Sequence, residues 1–186
     1  MRGFLTLLTL VGVPTALWSQ AKIGHELVSI GLNGGLFRLG GQDFSVTDDA
    51  LGGEASVGVR LVGRWYLGVG GHYSSHGTVV GSPLRIRAVF VEPQAAFGAG
   101  NSTVLRVGIR GGRLHRSIKV DTTTYESSGH GFGIEGAASH LIVGRLALEA
   151  AVTLDFLSFD SFLPSGSTDT GTAFAIHIGC RLGVGK

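Results

Sequence analysis

Cysteine is nearly missing from this chain. Cys180 is the only one, so no intramolecular disulfide can form and the fold rests on hydrogen bonding and packing. Lysine is almost as scarce: Lys22, Lys119 and Lys186 are the full set, and net charge is only +2. That balance lacks the positive excess of a nucleic-acid-binding surface. It also lacks the lysines that a soluble all-β protein spreads along its exposed strand faces. Mean hydropathy is nevertheless +0.33, and beyond the first residues no apolar run is long enough to cross a bilayer as a helix. High hydropathy without a spanning helix is what strands produce when only alternate residues meet lipid.

Chemistry-bearing motifs are also missing. There is no CxxC, no HExxH and no acidic calcium loop. Gly98-Ala99-Gly100 follows a strand but lacks the later glycine and the Lys-Ser/Thr of a phosphate loop. Ser74 lies near His76 and Ser128 near His130, but nothing places a nucleophile, a base and an orienting acid at convergent positions. No catalytic residue and no cofactor is expected. His72 and His76 share a strand face but lie roughly 13 Å apart. His76, His115 and His130 gather toward one rim, where solvated histidines are the ordinary case, so no metal site is expected either.

What is present begins with residues 1–21. Arg2 supplies a basic start, residues 4–13 are apolar, Pro14 breaks the run, and Ser19-Gln20-Ala21 offers small residues for a signal peptidase. The expected organisation is a cleaved signal peptide, residues 1–21, followed by one domain, residues 22–186. Glycine is abundant, 32 of 186 residues, but dispersed among Val, Leu and Phe, which excludes a collagen-like or disordered tract.

The clearest stretch is residues 51–73. Ala55, Val57, Val59 and Leu61 alternate with Glu54, Ser56, Gly58 and Arg60. After the Gly63-Arg64 turn, Trp65, Leu67, Val69 and Tyr73 alternate with Tyr66, Gly68, Gly70 and His72. Strand side chains point alternately to opposite faces, so each arm has one apolar and one polar or empty face. Six further runs share this rhythm: residues 25–39, 84–97, 103–114, 130–141, 146–157 and 172–184. Their connections run long, short, long, short, long, short, long, with long ones at 115–129 and 158–171. Pro93 surrenders a ladder hydrogen bond, which predicts a bulge or an edge there. The predicted fold is an all-β, closed, antiparallel up-and-down eight-stranded transmembrane β-barrel. In that arrangement Trp65 and Phe97 fall near the inner rim, and Tyr73, Phe132, Phe156 and Phe174 near the outer, as two aromatic belts. Cys180 falls on the apolar face of the last strand as a small hydrophobe.

Ile30-Gly31-Leu32-Asn33-Gly34-Gly35-Leu36-Phe37, then Phe90-Val91-Glu92-Pro93-Gln94, together with the eight-strand rhythm from Gly24 onward, make the chain resemble the small outer-membrane β-barrel family, the eight-stranded OmpA/OmpX-like, porin-family type. Where such chains often end in an aromatic residue, this one ends Leu182-Gly183-Val184-Gly185-Lys186. The resemblance implies a bacterial outer-membrane location, with membrane lipid and the barrel assembly machinery as partners.

With the polar face inward, the lumen holds Glu54, Glu92, Glu135, Glu149 and Asp155 with Arg60, Arg106, Arg110 and Arg181. An eight-stranded barrel is just wide enough for side chains to fill. Charges in that space have to be paired. Neighbouring strands predict the pairs Glu92–Arg106, Arg110–Glu135 and Glu149–Arg181. The leading expectation is a non-enzymatic outer-membrane barrel with a structural or surface-interaction role and a lumen plugged by ion pairs. Extracellular partners would meet loops 115–129 and 158–171, which carry Thr, Ser and aromatic residues. Two alternatives stand beside it. One is a small pore for small solutes. The other is a soluble, lipocalin-like exported barrel whose apolar face is an interior pocket.

Overall fold

The computed structural model describes residues 26–45, 47–79, 81–162 and 167–185. The expected signal peptide and the predicted start of the first strand at His25 lie outside them.

Eight strands follow the alternation read above: β1 (Val28–Gly40), β2 (Ala50–Val62), β3 (Trp65–His76), β4 (Leu84–Gly98), β5 (Thr103–Val120), β6 (Thr123–Val143), β7 (Leu146–Asp160) and β8 (Thr168–Val184). Each pairs antiparallel with the next, and β1 pairs with β8, so the sheet closes on itself. Closure gives every strand two neighbours, and only the distal tips of the longest strands run on past one of them. Val28 stands opposite Val184, which puts both strand ends at one rim, here called the terminal rim. Turns at residues 63–64, 99–102 and 144–145 share that rim. The strand ends that lead into the connections 41–49, 77–83, 121–122 and 161–167 lie at the opposite, distal rim.

The two faces are inverted relative to a water-soluble barrel. Leu32, Leu36, Leu51, Val89, Val107, Ile109, Ile134 and Ile178 point outward and are exposed. All five predicted lumen carboxylates are buried inside. The lipocalin-like alternative needs the apolar face inside, so this geometry overturns it. A continuous apolar exterior of this extent has to be covered by something other than water.

The interior is layered. At the distal end Leu39, Phe44, Leu84, Ile86, Leu114, Leu157 and Phe159 form an apolar cap, with Ile118 and Phe162 against it. A polar layer fills the middle. At the terminal end Tyr66, Ala96 and Val104 form a small apolar cluster.

Three expectations need correction. Residues 115–129, read as a long loop, are mostly strand: β5 and β6 run on to a turn at Asp121-Thr122, where Asp121 adopts φ 54°. The Thr-rich tip is β-branched and pairs well once a partner strand is beside it. The loop read as residues 158–171 shrinks to 161–167, because β7 and β8 pair out to Asp160 and Thr168. Pro93 marks neither bulge nor edge. The β4–β5 ladder omits Glu92 and Pro93 but resumes in the same register, while the irregularities fall at Arg60/Val62 and Leu141/Val143.

Candidate functional site

The polar layer has two centres. On β7 the inward series is Ala147, Glu149, Ala151, Thr153 and Asp155. Glu149 is fully buried and accepts hydrogen bonds from four strands. Arg181 of β8 donates through Nε at 2.5 Å and Nη2 at 2.8 Å, and Arg106 of β5 donates through Nη2. Ser139 of β6 donates at 2.8 Å and Asn33 of β1 at 3.1 Å. Arg181 also donates to Ser29 Oγ at 3.2 Å. A buried carboxylate costs several kcal/mol to desolvate unless paired and hydrogen-bonded on most of its lone pairs, and Glu149 meets that condition.

Arg110 of β5 is the second centre. It donates to both Asp155 oxygens, through Nε at 2.7 Å and through Nη2, a fork-to-fork pair. Its Nη1 donates to Glu54 Oε2 at 2.9 Å and lies 3.7 Å from Glu135 Oε2. Its guanidinium sits 4.9 Å from the Phe90 ring centroid. Gly133, directly opposite Asp155, makes room for this pair: a Cβ there would lie 2.0 Å from Asp155 Oδ1. Gly108 does the same for Glu92, whose Oε1 would be 2.0 Å away.

The structure brings eight of the nine predicted lumen residues into the bore and leaves one out. Arg60 lies at the terminal rim, where its Nε donates to Gly63 O at 2.8 Å. The predicted Glu92–Arg106 pair does not form: Arg106 reaches Glu149 and Ser139, while Glu92 accepts from Gln94 Nε2 at 3.0 Å. Arg110–Glu135 and Glu149–Arg181 are in contact. Without Arg60, the near-match of charge disappears. Five carboxylates face Arg106, Arg110 and Arg181, and the layer is acid-rich.

Sequence reasoning missed Arg116, hidden in the supposed loop. It lies in the distal cap with its guanidinium 4.1 Å from the Phe162 centroid and 4.8 Å from that of Phe159, donating to Asp160 O at 2.9 Å and pairing with Asp169. The signal that would have found it is parity: Arg106, Arg110 and Arg116 are even-numbered on one strand and share a face. Asn33, Ser139 and His177 stand on the polar face by the same logic. His72 and His177 flank Phe37, with centroids 5.5 and 5.0 Å from it. His76 points inward against Ser74 Oγ (3.0 Å) and Asp48 O (3.1 Å), away from His115 and His130. Among the described residues no group of three His, Cys, Asp or Glu side chains is arranged to hold a metal.

The six predicted belt aromatics all point outward. Trp65 and Phe97 lie near the terminal rim, with Arg64 over the Phe97 ring at 4.9 Å. Phe132 and Phe156 stack across β6 and β7 at 5.8 Å. With Tyr73 and Phe174 they lie toward the distal rim.

Comparison with solved structures matches this closed ring over most of its length. Neisserial surface protein A superposes with a TM-score of 0.70 at 11% identity, covering 84% of this chain and 96% of its own. This is a small outer-membrane β-barrel fold. OprG from Pseudomonas aeruginosa matches the barrel with a TM-score of 0.56 at 11% identity, over 86% of this chain and 97% of its own. A major outer membrane protein from Thermus thermophilus gives 0.54 at 11%, over 83% and 98%. No family model and no curated protein sequence matches the chain.

Proposed function

We propose that this chain is an exported, integral bacterial outer-membrane barrel with a structural or surface-interaction role, and that its lumen is closed. The apolar exterior flanked by aromatic belts supports the placement, with the terminal rim periplasmic and the distal rim extracellular. The observation that carries closure is the pair of buried ion-pair centres, on Glu149 and Arg110, beneath an apolar cap. Outer-membrane lipid and the barrel assembly machinery are its expected partners. A surface partner would meet the tip of the β5–β6 hairpin, where Tyr125 is exposed, or the 161–167 connection. Planar-bilayer recording tests the reading: the wild-type protein should insert without passing steady current, and a stable single-channel conductance would overturn closure.

A narrow pore is the second reading, favoured by the acid excess and by a cavity of about 20 Å³ beside His72, Phe90, Arg110, Leu114 and Asp155. That is room for about one water. If the lumen conducts, it should prefer small cations, and reversal potentials in a salt gradient would report the sign.

The proposed role is non-enzymatic. Ser74 Oγ against His76 Nε2 at 3.0 Å, with Nδ1 against Asp48 O, has the outline of a nucleophile and base. Both side chains are buried, and no acidic side chain orients the pair among the described residues. Export through residues 1–21 is tested by N-terminal sequencing of membrane-derived protein, which should begin near Lys22.

A further inference from the structure

Beyond the apolar band the outer wall is uneven. On β4 the outward residues change from Phe97, Val91 and Val89 to Arg87 and Arg85 toward the distal rim. On β5 they change from Leu105, Val107 and Ile109 to Arg113 and His115. Arg87 stands opposite His115, Val89 opposite Arg113, and Arg85 opposite Ser117. Cross-strand neighbours lie about 5 Å apart and same-face neighbours along a strand about 7 Å. Arg85, Arg87 and Arg113 therefore form one tile of like charge, with His115 beside them. Arg85, Arg87 and Arg113 make no ion pair among the described residues. Around the tile, Glu126 Oε1 lies 3.9 Å from His115 Nε2, His130 faces Arg113, and Lys119 follows on β5. The rest of the distal rim differs. Arg38 is 3.7 Å from Asp49, and the distal outward residues of β7 and β8, Ser158, Asp160, Thr170 and Thr172, include no base.

Next to the tile the wall is hollowed. An open groove of about 660 Å³ has Gly53, Ala55 and Gly71 among its outward-facing lining, with Leu32 and Tyr73 beside them and Arg87 at its edge; inward-facing Glu54 and His72 lie beneath. The small outward residues are neighbours by register, Gly34 opposite Gly53 and Ala55 opposite Gly71, while Leu36, Leu51 and Val89 stand outward around them. Unneutralised arginines at the edge of an apolar band attract an anion. A furrow leading from them into that band attracts hydrocarbon.

We propose that this face binds a lipid of the outer leaflet whose phosphate headgroup carries a net negative charge, the phosphate on Arg87 and Arg113 with Arg85 and His115 beside them, and an acyl chain in the groove of β1 to β3. The site rests on the outer-membrane placement proposed above. The net charge of the headgroup, met by Arg87 and Arg113 together, sets the scale of the preference at roughly tenfold.

The test is native mass spectrometry of the full-length barrel in detergent with phosphatidylglycerol or phosphatidylcholine of identical chains. Wild type should retain the anionic lipid about tenfold better, and R87Q/R113Q should abolish that preference. R38Q, three strands from Arg87 and at a residue already facing Asp49, should keep it. G53L fills the groove at a position where a Cβ meets only Asn33 O at 3.5 Å, and it should weaken retention of the anionic lipid. Equal retention of both lipids by wild type, or unchanged preference in R87Q/R113Q, overturns the site. Displacement of bound lipid by millimolar inorganic phosphate overturns the lipid assignment in favour of a free anion. Each protein is also run unheated and boiled on a detergent gel. Wild type lacking a mobility shift would fail the barrel reading itself; a normal shift with no lipid preference fails the site alone.

Discussion

Glu149 shows how much a single side chain can hold at this depth. Removing its carboxylate takes from Arg106 and Arg181 their direct ion-pair partner in a bore too narrow to hydrate them freely. E149A should cost about 3–5 kcal/mol, read as a lower urea midpoint in detergent micelles. E92Q should cost far less, because Glu92 accepts from Gln94 alone among the described residues and an amide can keep that bond. Arg110 predicts a different effect. R110A frees Asp155, Glu54 and Glu135 to repel one another across the bore, so the lumen should loosen and pass cation current in planar bilayers where wild type stays closed. Parity alone showed which residues share a face, with Arg60 the exception that leaves the bore. It did not show which of them meet. Arg106 reaches past its neighbour to a carboxylate on β7, and Arg60 turns back to the Gly63 turn. Long side chains in a shared bore choose partners by reach across the lumen, which strand order does not reveal.

At the scale of elements, the strands were legible wherever apolar and small residues alternated for many positions. The β5–β6 extension was not, because Ser, Thr, Glu and Lys on both faces leave no period to detect. Residues 123–128 of β6 have a partner only on β5, since pairing with β7 begins at Gly129. Their amides should exchange with deuterium well before those of residues 130–141, measured by mass spectrometry in micelles. The β1–β8 seam is the opposite case. A Cβ at Gly35 would lie 2.1 Å from Ile176 O, whereas one at neighbouring Gly34 would lie 3.9 Å from Gly52 O. G35V should abolish the heat-modifiable species, and G34A should leave it intact on the same gel.

For the whole molecule, the closed ring was readable from rhythm, but inside and outside were not, because alternation is the same in a soluble barrel and a membrane one. Bulk decided it. The polar face carries glycine, alanine and serine between its charges, which pack within a narrow bore, and the other face carries leucine, valine, isoleucine and phenylalanine. The intact protein should therefore fractionate with outer membrane and migrate differently before and after boiling. Recovery from soluble periplasm without a shift would refute the placement.

Asn33, Gly179 and Glu149 stand in one row across β1, β8 and β7, and this row has a consequence for how the ring completes. If β1 meets β8 one residue out of step, every side chain of β1 turns over. Leu32 would then face the carboxylate, and the Asn33 amide would face hydrocarbon. A wrong closure is thus penalised twice at one spot, in lost hydrogen bonding within and a stranded amide without. Glu149 acts as a checksum on closure, satisfied in full only when the first and last strands have met in the correct frame.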